Sequence, residues 1–416
     1  MLNLKRHIIV YSFSCIIFLS FGVLIELNEN NFISLVNKLV IPSFLSFLLC
    51  ILLILANKYY EKYITYIAIT LFFSITYLTY FNYANTVNGF QHENKILLIY
   101  GLAFYTVFYA NELIKNKLSF KSFFIASNPL LLITGPIAYK YKIVIQTKIF
   151  SRIKKYFPFL IIGIFFYKVI GSPLFAFMEI VEITDPINTI IFGIIFEMII
   201  YFNFAGISLI IYSSLGIVGL LIPLNFRQPF SSRNIIEYWK SWHVSLSRCL
   251  KSIFYNKIKF KSTYLAVFVV FISSAFWHGF ALNFLIWGVF HAFLFLVSLL
   301  LLKQSKIILP LIIAIFAIIF GRIIFADNDV SRLFDRLLLN YENISFKHYL
   351  TISLNAYISL ILGFFYICLE FAMYKKNEIF KNYKFLRRPE VLILVLFLSI
   401  LLIQSSGENY AVYNQR

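Results

Sequence analysis

An all-α, polytopic membrane protein is what this 416-residue sequence calls for, on three grounds. Hydrophobic residues make up 61% of it and charged residues only 13%, where soluble domains carry about a quarter charged residues. Mean hydropathy is +0.83. The apolar residues gather in long runs parted by short charged loops, and at about 20 residues per crossing the length accommodates about 11–13 transmembrane helices. The 37 basic against 18 acidic side chains give +19, which positive-inside loops explain more simply than nucleic-acid binding. Cys15, Cys50, Cys249 and Cys368 are scattered without CxxC or CxH grouping, so neither a disulfide framework nor a metal site is expected. The bias to Phe, Ile, Asn and Lys suits an AT-rich coding genome, so single Phe or Lys residues carry little weight.

The first run, 8–25, follows Lys5 and Arg6 as a signal peptide would. No A-x-A-like site comes after it, and Glu26 to Asn31 is polar and bulky, so it reads as an uncleaved first span. Further runs occupy 39–56, 64–81, 96–110, 123–138, 157–178, 187–225, 263–302, 307–325, 350–373 and 391–404. Basic loops hold Lys58 and Lys62; Lys115, Lys117 and Lys121; Lys140 to Lys155; Arg227 to Lys261; and Lys375 to Arg388. Acidic loops hold Glu26 and Glu29; Glu179, Glu182 and Asp185; and Asp327, Asp329 and Asp335. The basic set is expected to face the cytoplasm, making this a multi-pass protein of the cell's inner (plasma) membrane, in contact with its lipids.

Two runs break simple alternation. Basic loops flank 123–138 on both sides, and Asn128-Pro129 and Gly135-Pro136 interrupt it, which predicts a re-entrant hairpin. The 187–225 run is too long for one crossing and is expected to hold a span plus a broken one near Asn203 to Gly206. The 263–302 run reads as a two-span hairpin between Lys261 and Lys303. Broken elements in mid-chain suggest a cavity there. The chain divides as one domain, 1–416: N-terminal peripheral helices in 1–122, a core with the re-entrant segment and both histidine motifs in 123–302, and closing helices in 303–416.

The chemistry sits between residues 200 and 300. All four tryptophans and three of the six histidines lie there. In the first knot, Glu237-Tyr-Trp239-Lys-Ser-Trp242-His243-Val-Ser-Leu-Ser247, Asn234 and Glu237 form a capping-box-like helix start. Continued as one helix, Trp239, Trp242, His243 and Leu246 share a face, which predicts an amphipathic helix at the cytoplasmic interface with tryptophans at headgroup depth. His243 serves there either as an interface anchor or as a functional group. In the second knot, Phe276-Trp277-His278-Gly279, the histidine lies inside an apolar hairpin, about 25 Å from Lys261 at about 1.5 Å per residue. An ionisable group at that depth is a functional hypothesis, the alternative being a structural histidine bonded to a neighbouring helix. Two histidines near opposite ends of a cavity suit a donor and an acceptor arriving from different sides. His291 is read as a packing or hydrogen-bonding residue with a lesser claim to function, and His7, His92 and His348 are set aside. Glu197, Arg322, Lys168 and Glu370 lie in or near apolar runs, where they snorkel, pair or line the cavity. No Walker loop, GxGxxG or GxSxG is present, so nucleotide hydrolysis and serine-triad hydrolysis lack support.

The run Trp239-x-x-Trp242-His243-x-Ser-Leu-Ser247, preceded by Pro223-Leu-Asn225-Phe226 and Pro229-Phe-Ser231, resembles the membrane-bound O-acyltransferase (MBOAT) family, in its bacterial alginate O-acetyltransferase and D-alanyl-teichoic-acid transfer branch. Trp277-His278-Gly279, Asn283-Phe284, Trp287-Gly288 and His291 match its second block, Thr134-Gly135-Pro136-Ile137 a re-entrant motif, and Phe325-Ala326-Asp327 a weaker one. The resemblance implies a helical fold around a central tunnel, with His278 the catalytic base and His243 a second histidine on the donor side. Trp277, Gly279, Trp239, Trp242, Asn283, Trp287 and Asn203 would line the substrate path. It implies no bound cofactor, acetyl-CoA or a carrier-protein acyl thioester as donor, a cell-surface glycan as acceptor, and a separate extracytoplasmic transferase as partner. The sequence departs from the family at Asn203 and Leu209, where acids are usual, at Cys249 and Lys251-Ser252-Ile253, and at Phe325, where arginine is frequent. Acetyl transfer to an exported glycan is the expected activity. D-alanyl transfer to teichoic acid, a glycan or lipid-linked-sugar transporter, and an inactive scaffold are the alternatives. A transporter should show paired broken repeats, and 187–302 has no convincing second copy.

Overall fold

The computed structural model describes residues 2–25, 31–74, 104–132, 136–145, 147–182, 185–302, 308–327, 329–337, 346–374 and 383–402. In chain order the helices are α1 (Leu2–Ile25), α2 (Asn31–Tyr59), α3 (Phe120–Ala126), α4 (Pro129–Leu132), α5 (Ile149–Ile164), α6 (Pro186–Val218), α7 (Ile235–Ser241), α8 (Val244–Leu250), α9 (Thr263–His278), α10 (Leu282–Leu301), α11 (Ile308–Ala326), α12 (Val330–Leu337), α13 (Leu354–Ala372) and α14 (Pro389–Leu402). The fold is all-α. Its one small sheet among the described residues pairs Lys142–Ile143 antiparallel with Leu220–Leu221.

Five stretches among the described residues are long and apolar enough to cross a membrane: Ile149–Met178, Pro186–Val218, Leu282–Leu301, Ile308–Ala326 and Leu354–Ala372. Ser43–Tyr59 and Glu61–Ser74, which meet at 109°, make a sixth if they count as one broken span. α9 and α14 are shorter apolar helices. The expected 11–13 crossings also drew on runs 64–81 and 96–110, which lie partly outside the described residues.

By its packing the chain forms two compact units. The first comprises Met1–Phe157, Ile211–Pro223 and Ser245–Gly279. In it the 123–138 run is interrupted as Asn128-Pro129 predicts. Proline disfavours helical backbone at the residue before it, so α3 stops at Ala126, and the Asn128 side chain accepts the Leu130 N–H at 3.2 Å to start α4. Asn128 Nδ2 donates to Ser14 Oγ on α1 at 3.0 Å, tying the break to the N-terminal helix. Thr134 and Gly135 of the expected re-entrant motif lie outside the described residues; Pro136 and Ile137 follow as buried irregular chain. Arg152 fastens another corner, its guanidinium donating to the carbonyls of Ile217, Val144, Ile145 and Thr147. A cation at the last carbonyls of α6 also opposes the negative end of that helix.

The second unit comprises Pro158–Ile210, Leu224–Val244 and Phe280–Arg416. Its interior is aromatic: Phe166 lies 4.9 Å from Tyr366 and 5.3 Å from Phe202, all edge-on. The break expected near Asn203 to Gly206 is absent. α6 runs unbroken for 33 residues, about 50 Å at about 1.5 Å per residue. Gly206 is there for proximity: a Cβ on it would fall 2.7 Å from the Tyr167 nitrogen, and one on Gly163 would fall 2.8 Å from the Gly206 carbonyl oxygen. Small residues of this kind let helix backbones approach in membranes. Asn203 does not interrupt the helix either, since its Nδ2 donates to Ile199 O one turn back.

Candidate functional site

The site residues expected from sequence divide between the units: Trp277, His278 and Gly279 fall in the first, and Asn203, Trp239, Trp242, His243, Asn283, Trp287 and His291 in the second.

Around His243 the local fold starts with a good cap. Asn234 accepts the Glu237 N–H at 2.9 Å and the Glu237 carboxylate accepts the Arg233 N–H at 2.9 Å, so α7 begins where the sequence places it. It does not continue through His243. α7 ends at Ser241, His243 takes a left-handed backbone (φ 40°), and α8 starts at Val244. The single amphipathic interface helix is therefore replaced by two short helices around a strained residue, a conformation non-glycine residues adopt only when their surroundings hold them there. The surroundings here are the chain 225–231. Asn225 O accepts the Val244 N–H at 2.8 Å and Ser241 O accepts the Arg227 N–H at 2.9 Å, clasping the break from both sides. That chain is pinned in turn to α13, where Glu370 accepts the Phe230 N–H at 2.8 Å.

Trp239 and Trp242 point into the unit, against the rings of Trp287 and Phe226. Trp242 is 5% exposed. It stacks on Tyr238 at 5.5 Å and carries the Arg322 guanidinium over its ring at 4.5 Å. Arg322 does not snorkel: it pairs with Glu197, whose other carboxylate oxygen accepts from Tyr238 Oη at 2.7 Å. Arg322 lies one helical turn before Phe325, with its guanidinium 5.8 Å from that ring. Glu370 is fully buried, and beside the Phe230 amide it accepts from Tyr201 Oη at 3.3 Å. Lys168 lies 5.2 Å from the Tyr167 ring.

His243 itself is buried. Its Nδ1 lies 3.1 Å from Asn225 Oδ1, and the Phe204 ring meets it edge-on at 4.8 Å. Burial pushes its pKa down from 6.5 to about 3, so the imidazole is neutral at physiological pH. His291 is equally enclosed, 5.0 Å from both Trp239 and Trp287, against α11 at Gly321, where a Cβ would collide with its ring. Asn283 Nδ2 donates to Phe325 O at 3.1 Å, tying the start of α10 to the end of α11. Asn203 packs on Gly171, in the π-helical turn Phe165–Gly171.

His278 ends α9, with Trp277 edge-on at 5.1 Å and the Gly279 N–H bonded to Ala275 O. It is half-buried, less enclosed than the buried base expected of it. A half-buried imidazole keeps one side reachable by a substrate. Sequence reasoning missed Ser208, Phe204 and the role of Asn225, which stood in the quoted motif without a function; an Asn seven residues after α6 ends at Val218 was the available signal.

A helical protein of many apolar spans, with an enclosed histidine in a WxxWH knot and a half-buried one in WHG, has the character of a multi-pass membrane protein. Residues 9–325 match the model of the membrane-bound O-acyltransferase family. The chain belongs to that family, MBOAT. Among similar proteins are the peptidoglycan O-acetyltransferase of Helicobacter pylori, 36% identical over 102 residues, and the teichoic acid D-alanyltransferase of Bacillus subtilis, 31% identical over 111 residues. The first match covers 22% of this chain and 18% of the relative, the second 24% and 28%. A probable alginate O-acetylase of Pseudomonas aeruginosa is 34% identical over 102 residues, 22% of this chain and 19% of that one. The chain thus matches less than a third of the length of each of these relatives.

Proposed function

We propose that the chain is an O-acyltransferase that moves an acetyl group from a cytoplasmic thioester, acetyl-CoA, to a hydroxyl of an extracytoplasmic glycan or to a partner transferase on that side. The observation that carries it is the pair of histidine knots, WxxWH at His243 and WHG at His278, in a chain whose relatives are named for acyl transfer to surface polymers. In this reading the acceptor oxygen attacks the thioester carbonyl while His278 takes the hydroxyl proton. The new C–O ester bond forms, the C–S bond breaks, and the proton passes to the departing thiolate. General-base assistance of this kind is worth about 10²–10⁴-fold. Arg248, Lys251, Lys257, Lys259 and Lys261 are all exposed, and a basic surface of that density attracts the phosphates of coenzyme A, as well as setting orientation in the membrane.

The test compares wild type, His278→Ala and His243→Ala by mild base release of ester-linked acyl groups from the surface glycan. The expected outcome is loss of released acetate in both variants. Wild-type release from His278→Ala would remove the base from the mechanism, and normal acylation with defective glycan export would favour a transporter. A second reading, D-alanyl transfer from a carrier-protein thioester, is favoured by the teichoic acid D-alanyltransferases among the relatives. It predicts that the released group is D-alanine instead of acetate.

A further inference from the structure

We infer that Asn225 is a positioning residue that holds His243 in its Nδ1–H tautomer, so that the lone pair presented to the reaction lies on Nε2. The inference rests on the acyl-transfer reading for its catalytic consequence and on hydrogen-bond geometry for its structural one.

A neutral imidazole has one donor nitrogen and one acceptor, and its neighbours decide which is which. His243 is neutral, being buried. Its Nδ1 faces the Asn225 amide oxygen at 3.1 Å. An amide oxygen only accepts, so Nδ1 must carry the proton. On its other side Asn225 Nδ2 donates to Ser208 Oγ on α6 at 3.3 Å, an acceptor for the amide NH₂ that accords with the oxygen facing Nδ1. The opposite orientation would turn the NH₂ toward Nδ1 and force the proton onto Nε2. Ser208, Asn225 and His243 thus form one run of hydrogen bonds, with the Asn225 amide between the hydroxyl and the ring. All three residues are buried, at 3%, 1% and 6% exposure, so water does not compete for these bonds.

The backbone adds a second constraint. Asn225 O accepts the N–H of Val244, the residue after His243, at 2.8 Å. Residue 225 thus grips the knot twice, by its carbonyl and by its side chain, and the strained backbone at His243 keeps the ring between Asn225 and Phe204. The partner is also neutral. A carboxylate at this position would make the same hydrogen bond but favour the imidazolium, the form unable to accept a proton.

The protein is produced with ¹⁵N-labelled histidine in lipid nanodiscs, and its ring nitrogens are observed by ¹⁵N NMR at neutral pH. His243 is identified by the signals that vanish in His243→Gln. Wild type is expected to show a protonated Nδ1 and a bare Nε2. Asn225→Ala should mix or reverse the two tautomers, and Asn225→Asp, whose carboxylate also accepts from Nδ1, should keep Nδ1 protonated. Ser208→Ala, which frees the amide to turn, should give a mixture and guards against a folding defect confined to position 225. In acyl transfer, kcat of Asn225→Ala should fall about 10- to 100-fold, by analogy with histidines that lose an orienting partner at metal sites, with the donor KM within about twofold. A protonated Nε2 in wild type, or an unchanged tautomer and rate in Asn225→Ala, would overturn the assignment. If His243→Gln keeps the wild-type rate while the tautomers respond as described, the failure lies in the acyl-transfer role of His243 and not in the positioning by Asn225.

Discussion

His243 concentrates three unfavourable choices in one residue: a left-handed backbone, full burial and a titratable ring. Each is held by a named neighbour, and one of them has a measurable signature. The folded pKa of about 3 lies below the ordinary 6.5, so between those values the unfolded chain binds a proton that the folded one does not. The stability this group contributes is complete above pH 6.5 and is lost as pH falls toward 3, by up to about 1.4 kcal/mol per pH unit. Thermal unfolding in detergent at pH 7.5 and 5.0 should show a larger drop in Tm for wild type than for His243→Gln. Equal drops would mean that the ring is not held neutral. Residues of this sort were legible in the sequence because polar groups are rare in a chain of Ile, Leu and Phe, so His243, His278, Asn283 and His291 stood out. Asn225 did not, because one asparagine in a loop motif looks like any other until the ring it faces is known.

Among the elements, α6, α7 and α11 meet at a buried ion pair capped by a tyrosine, and Trp242 of the WxxWH knot lies against it. Breaking a buried pair by removing one partner leaves an uncompensated charge, at a cost of about 3–5 kcal/mol. Arg322→Met should therefore lower the thermal midpoint more than the double change Arg322→Met with Glu197→Leu, which leaves no stranded charge. The comparison is read by thermal aggregation of the purified protein. If the double variant is no better than the single one, the pair is not what holds these helices. At this scale the sequence was half legible. The cap at Asn234 marked the start of α7, but nothing in Trp-His-Val-Ser marked its end, since the break is imposed by the chain 225–231 and not by a glycine or proline. Gly206 misled in the opposite direction. A glycine that ends a helix and one that lets another helix approach look alike in one dimension, and only the closeness of Gly163 and Tyr167 separates them. Glu197 and Arg322 were visible as charges in apolar runs, but their pairing spans 125 positions and follows from the fold alone.

At the scale of the whole molecule, composition settled the class at once: an apolar, helical chain with most of its charges in short loops. It also predicts the orientation. In a variant lacking the native cysteines, Phe260→Cys, at an 84% exposed position between Lys259 and Lys261, should react with an impermeant maleimide only from the cytoplasmic side. Asp329→Cys, on an exposed acidic turn, should react only from outside. The reverse pattern would invert the topology and with it the side proposed for entry of the donor.

The Glu197–Arg322 pair also bears on how the protein is made. The two residues are synthesised 125 positions apart, and at about 5–20 residues per second roughly 6–25 s pass between them. Through that interval α6 carries a carboxyl group in an apolar segment with its cation still unmade, and a charge at the centre of a helix costs about 2.5–3.5 kcal/mol on insertion. The early half of the chain is thus born with a debt that only α11 discharges. A nascent protein stalled before Arg322 should linger at the insertion machinery or be degraded, and wild-type stability of such a truncated chain would show that the unpaired carboxyl is tolerated.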